Sequence, residues 1–287
     1  MRAGILHLLL AASLPLLAPL AALARDADAD AIHWAYSTWF GTGWYRIGDS
    51  RDAFAIRYAP RKLVREQAID KGAQSWRVEV RVPFTVGLEH FPLDDLAGSV
   101  DPANFASLSV TPAVNVTVPV TDKWTLRPFA ALGWGAVLNG GGSAWTWWAG
   151  VRSRYRSEIG ALGWSWLYSV AVVGYSPSDG PSSNFWPVTT GFELDYPAGS
   201  YELQGEQLYL NWHAAYTWFA DDMELVRIGR ANDEIRDQWQ FGIGINKEDT
   251  PIEVWRFRFD RLGLAYRFST DGELQGIGLV FNSLFDL

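Results

Sequence analysis

The sequence predicts an all-β chain: a single antiparallel transmembrane β-barrel of about 12 strands with both termini in the periplasm. Three observations carry this: an export signal at the N-terminus, repeated alternation of apolar and polar residues, and a heavy load of aromatic side chains. The 287 residues include 16 Trp, 11 Tyr and 15 Phe, and no cysteine. Rings with a polar edge favour a membrane interface, where apolar and wet surroundings meet. An exported chain without cysteine must be held by something other than disulfides. The formal net charge is −8 and no basic run occurs, which argues against a nucleic-acid partner.

The first element is a secretory signal peptide over residues 1–24. Met1-Arg2 gives the positive start, Ile5 to Leu23 is apolar or small apart from His7, and Ala22-Leu23-Ala24 is a small-x-small cleavage site. The alternative is an uncleaved anchor, against which Pro15, Pro19 and that site count. Cleavage after Ala24 leaves 263 of the 287 residues, a length that suits one all-β domain over 25–287.

Strands follow from the period-2 pattern, in which successive side chains face opposite sides of a sheet. Trp76, Val78, Val80, Val82 and Phe84 share a face, opposed by Arg77, Glu79 and Arg81. Leu108 to Val120 repeats the pattern with valines against Ser109, Thr111, Asn115 and Thr117. Leu208, Leu210, Trp212, Tyr216 and Trp218 oppose Tyr209, Asn211, His213 and Thr217. Trp239, Phe241, Ile243 and Ile245 oppose Gln238, Gln240 and two glycines, and Trp255, Phe257 and Phe259 oppose Arg256, Arg258 and Asp260. The strands so placed are 34–45, 53–62, 75–88, 105–120, 124–138, 145–156, 160–175, 185–196, 207–219, 237–246, 254–268 and 275–287. Several run ten residues or more, which suits a tilted membrane crossing better than a soluble sheet.

Connection lengths give a second test, because such barrels carry long outer loops and short periplasmic turns. Glu89–Asn104, Ser176–Asn184 and Ala220–Arg236 are long and fall on the outer side; Thr121–Lys123, Ser157–Ile159 and Lys247–Glu253 fall on the inner side. Three connections break the parity: Gly48–Asp52 is short, and the inner Leu63–Ala73 and Pro197–Glu206 are long. Uncharged stretches at Pro102–Thr121, Pro128–Val151 and Ile159–Ser178 could each be read as a membrane helix. The first alternates and contains prolines, the second holds the turn Asn139-Gly140-Gly141-Gly142-Ser143, and the third is flanked by strand patterns. A closed barrel satisfies every backbone group in hydrocarbon, so all three are assigned to strands.

The chain ends with Ile277, Leu279, Phe281, Ser283, Phe285 and Leu287 in alternate positions. This is similar to the terminal strand of outer-membrane barrels, which the barrel assembly machinery reads as an alternating aromatic segment; Phe281, Phe285 and Leu287 would form that assembly signal. The family's usual final residue is Phe, where this chain has Leu287, and Ser283 interrupts the row. Together with Gly263-Leu264-Ala265-Tyr266-Arg267-Phe268 and Gly276-Ile277-Gly278-Leu279-Val280-Phe281, the ending resembles the solitary autotransporter-type β-barrel family. The resemblance implies an integral outer-membrane protein without a passenger. Arg25 to Ile32 leaves no room for a passenger or a plugging helix before the first predicted strand.

By alternation the residues facing inward include Arg77, Glu79, Arg81, Arg127, Arg152, Arg154, Arg156, His213, Arg256, Arg258 and Asp260. These either fill a largely closed lumen by pairing with acids such as Glu193 and Asp195, or line a narrow pore that favours anions. The competing class is a lipid-modifying barrel enzyme, comparable to outer-membrane phospholipase A, which needs Ser and His together on the outer wall. The histidines are His7, His33, His90 and His213; His213 points inward by parity and has no Ser two or four residues along its face. Acidic groups at Asp94, Asp95 and Asp101, and at Asp221, Asp222 and Glu224, lack the spacing of a calcium loop. No catalytic residue, cofactor or metal is therefore assigned. The expected partners are outer-membrane lipid, lipopolysaccharide and the assembly machinery, and the expected state is a monomer.

Overall fold

The computed structural model describes residues 41–47, 51–68, 75–89, 105–137, 142–178, 182–225, 233–247, 250–255 and 257–286. The expected leader over 1–24, residues 34–40 of the first expected strand, and His33 and His90 lie outside these. Twelve antiparallel strands form a closed barrel. They are β1 (Gly43–Ile47), β2 (Arg51–Tyr58 continuing as Arg61–Ala68), β3 (Ser75–Arg81 and Phe84–Glu89), and β4 (Phe105–Val110 and Ala113–Pro119). Then come β5 (Trp124–Val137), β6 (Ser143–Ile159), β7 (Leu162–Pro177) and β8 (Ser183–Phe185 and Pro187–Leu203). The last four are β9 (Glu206–Leu225), β10 (Asp233–Lys247), β11 (Leu262–Phe268) and β12 (Leu274–Val280). Each pairs with its sequence neighbour, and β12 returns to β1 with Gly43 opposite Gly278 and Ile47 opposite Leu274. Closure removes the open edges that would otherwise leave backbone donors and acceptors unpaired.

The paired strands β2, β3 and β4 are each interrupted once, at Pro60, Pro83 and Pro112. A proline has no N–H to give the ladder, but its carbonyl still accepts. Val82 N–H donates to Pro60 O at 3.0 Å, Thr111 N–H to Pro83 O at 2.9 Å, and Leu132 N–H to Pro112 O at 3.0 Å. The interruption thus runs from strand to strand as one line, and pairing continues on both sides of it.

Burial is inside-out relative to a soluble protein. Along β9, Asn211, His213 and Thr217 are buried while Leu210, Trp212 and Trp218 are exposed. Leu132, Trp166, Ile243 and Leu264 are likewise exposed on the outer wall. Aromatic rings concentrate towards both ends of that wall: Trp124 pairs in register with Tyr155 at one end, and Trp134 with Trp145 at the other.

The expected connections Leu63–Ala73 and Ala220–Arg236 are strand as far as Ala68 and Leu225, and three further expectations change. First, β8 continues to Leu203 and meets β9 at Glu206 through Gln204 and Gly205, both at positive φ (58° and 83°). That suits a two-residue hairpin turn, so the expected long connection Pro197–Glu206 is strand. Second, residues 252–259 do not open β11. Ile252–Val254 and Phe257–Phe259 pair with each other, because Trp255 sits at φ 57° and reverses the chain. Alternation identifies extended backbone without naming its partner. Third, β12 stops at Val280, and Leu284–Asp286 forms a 3₁₀ turn in place of the final strand residues.

Candidate functional site

The interior has three levels. At the end where β12 finishes, the 3₁₀ turn folds inward. Leu284 and Phe285 pack against Leu167 of β7 and Ala215 of β9, with Phe285 only 1 % exposed. The Phe285 ring lies 4.3 Å from the guanidinium carbon of Arg127 and 4.7 Å from that of Arg154. Leu284 N–H donates to Glu193 Oε1 at 2.6 Å, and Arg261 Nη1 donates to the same oxygen at 2.8 Å. Phe281 and Phe285, two of the three residues of the expected assembly signal, therefore part company: Phe285 is held inside, Phe281 packs tilted against Phe259 at 5.0 Å, and Leu287 lies outside the described residues.

The middle level is polar. Strand register places Arg127, Arg152, Ser169, Thr189, Thr217 and Gln238 side by side on consecutive strands from β5 to β10. Thr189 and Thr217 share a hydrogen bond of 2.9 Å. A cavity of about 190 Å³ opens on this level, bounded also by Arg57, Arg81, Asn115 and Arg267. Arg267 is fixed by Gln240 Oε1 at 2.8 Å and by the Tyr45 hydroxyl at 3.0 Å. Arg152 lies over the Phe129 ring at 4.0 Å, and Arg57 over Trp148 at 5.1 Å.

At the far end the inward side chains are mainly apolar. Tyr45, Ile47, Tyr175, Phe185, Phe219, Ile235 and Leu274 form one buried cluster, with Phe185 edge-on to Phe219 at 5.5 Å.

Of the expected inward residues, Arg81, Arg127, Arg152, Arg154 and His213 lie on the interior face, and Glu79 sits 3.5 Å from Arg81. The others do not join them. Arg77 is exposed and pairs with Glu66 at 2.8 Å on the outlying β2–β3 extension, where Ser75 and Arg77 hold the Glu66 carboxyl below its ordinary range. Arg156 is exposed. Arg258 pairs with Glu253 at 2.9 Å on the small hairpin, exposed to solvent although it reaches the cavity rim; Asp260 pairs with Arg61; Arg256 lies outside the described residues. Sequence reasoning missed Arg57, Arg261 and Arg267. Arg57 and Arg267 were available to it, since Phe54, Ile56 and Tyr58, and Leu264, Tyr266 and Phe268, define the opposite faces. Arg261 precedes its strand, where no alternation applies.

His213 occupies a slot that exists because its cross-strand partner is glycine: a Cβ on Gly242 would lie 2.2 Å from the imidazole. Gln240 Nε2, which can only donate, reaches His213 Nε2 at 3.1 Å, so the proton sits on Nδ1. Ser165, Glu193 and His213 are register neighbours on β7, β8 and β9, the residue types of a hydrolytic triad. Their order defeats that chemistry. Ser165 and His213 stand two strand spacings apart, about 10 Å, and the carboxylate between them is taken by Arg261 and Leu284. Among the described residues no group of three metal-ligating side chains occurs; Asp94, Asp95 and Asp101 lie outside them, as do the side chains of Asp222 and Glu224.

No family model matches the chain, and no curated protein matches it. Among solved structures, the chain is similar to the β domain of the Bordetella autotransporter BrkA. The TM-score is 0.50 at 11 % identity, over 83 % of this chain and 92 % of that one. In fold, this chain is therefore an autotransporter-type closed β-barrel of twelve antiparallel strands.

Proposed function

We propose that the chain is an integral outer-membrane barrel of solitary autotransporter-like type, exported by residues 1–24, monomeric, with periplasmic termini and a largely filled interior. The observation that carries this is the outer wall. Leu132, Trp166, Trp212, Ile243 and Leu264 are each more than half exposed, a continuous apolar surface that water would disfavour and lipid would cover. Its height fits. Trp124 and Trp134 mark the two aromatic ends of β5, ten residues apart. At about 3.4 Å per residue and a tilt near 40° that span is about 26 Å, close to the ~25 Å apolar band of such barrels.

A filled interior, as opposed to an open channel, is supported by the inward 3₁₀ turn at one end and the apolar cluster at the other. The row Ser165–Glu193–His213 favours no enzyme. Assembly machinery, lipid and lipopolysaccharide are the partners this reading implies. The test has two arms. Protein folded in detergent should migrate faster on gels when unheated, and Trp124 and Trp134 should be quenched by brominated lipid; a soluble, unquenched protein overturns the membrane reading. In planar bilayers no steady current is expected, and sustained single-channel steps would replace the filled interior with a pore.

A further inference from the structure

Resting on the barrel reading, we infer that the middle level of the interior is a binding site for a small phosphate-type oxyanion. Arg57 and Arg152 face the cavity, each laid on an aromatic ring, Trp148 and Phe129. Among the described residues neither has a carboxylate within ion-pair distance, and Arg57 Nε is sealed from solvent without a hydrogen-bond partner. Three other interior arginines are neutralised or tied, Arg261 by Glu193, Arg81 beside Glu79 and Arg267 by Gln240 and Tyr45, and Arg154 lies on the Phe285 ring away from the cavity lining. A guanidinium enclosed without an anion is costly, and stacking on a ring returns only part of that cost. Two such groups opening on one cavity offer paired, planar N–H donors to a single multiply charged oxyanion.

The surroundings are donors. Ser169, Thr189, Thr217 and Asn115 line the same cavity, and among the described residues no aspartate or glutamate does. Hydroxyl and amide groups can donate to oxyanion oxygens while the planar guanidinium fork offers paired N–H groups. Size selects the class. About 190 Å³ is below the ~300 Å³ of the smallest typical pockets for drug-sized ligands. That fits a tetrahedral oxyanion with a few waters, or the phosphate group of a larger molecule entering from one end.

The test uses full-length mature protein folded in detergent, with heat-modifiable migration as the check that the barrel has formed. Inorganic phosphate is titrated calorimetrically at constant ionic strength set with chloride, so that general screening is held fixed. Dioctanoyl phosphatidic acid serves as the lipid-borne phosphate. Phosphate should bind saturably and raise the unfolding temperature. Arg152→Gln and Arg57→Gln should each weaken binding at least tenfold while folding normally, and Arg77→Gln, far from the cavity, should bind as the parent does. Arginine-dependent binding of the lipid but not of free phosphate would keep the site and move its ligand to a headgroup. A folded barrel that gives no phosphate signal beyond chloride, or binding that survives both substitutions, overturns the site and leaves the membrane reading standing. A chain that forms no barrel by migration overturns both.

Discussion

The two ends of the interior are filled by opposite chemistries. At the far end, Tyr45, Ile47, Phe185, Phe219, Ile235 and Leu274 meet ring to ring and methyl to ring, contributed by five different strands. At the end where β12 finishes, Glu193 joins Arg261 to the Leu284 backbone while Arg127 and Arg154 hold Phe285. The apolar end needs only shape. The charged end needs every partner present, because a buried ion stripped of its counter-ion is far worse than a missing methyl group. The difference teaches that one end tolerates conservative repacking and the other fails as a unit.

The largest effect should come from Glu193→Leu. It leaves Arg261 buried without an anion and takes the acceptor from Leu284 N–H, costing roughly 3–5 kcal/mol for the broken pair and about 1 kcal/mol more for the lost hydrogen bond. Urea unfolding of the detergent-folded barrel measures it. Restoring apolarity on both sides with Glu193→Leu plus Arg261→Met should recover most of the loss; a double variant as unstable as the single one would show that the pair acts through more than charge. Phe219→Ala is expected next, at about 3–4 kcal/mol, since Phe219 is 1 % exposed and edge-on to Phe185. Phe219→Leu should cost less than half of that. If Phe219→Leu were as damaging as Phe219→Ala, the far end would not be simple packing.

The same contrast explains what could be read in advance. Wherever one wall is the apolar outer surface and the other faces the interior, side-chain parity is enforced, so the faces of β4, β9 and β10 were legible as Leu108 to Val120, Leu208 to Trp218 and Trp239 to Ile245. Parity carries no information about where an extended segment leaves the wall. Phe257 and Phe259 alternate as well as any barrel strand, yet they pair with Ile252–Val254 and contact Tyr58 and Phe281. Phe285 keeps the terminal alternation and is drawn inward by two arginines from β5 and β6, contacts more than a hundred residues distant in sequence. The polar belt was hidden for a related reason. Ser169, Thr189 and Thr217 are each unremarkable on their own strand, and become a group only through register between strands.

A smaller effect is expected at the seam that joins the first strand to the last. Tyr45 stands opposite Gly276, and a Cβ there would lie 2.5 Å from the Tyr45 ring. Tyr45 also belongs to the apolar cluster and holds Arg267, so it links the apolar end to the polar belt. Gly276→Ala must push the ring aside, an overpacking cost of about 1–3 kcal/mol. Tyr45→Ala in the same chain should make Gly276→Ala nearly neutral, because the clash and its victim are removed together. Unfolding midpoints of the four proteins in that cycle decide it: additive losses would mean that the ring and the glycine are independent, and the coupling between the two ends would have to run by another route.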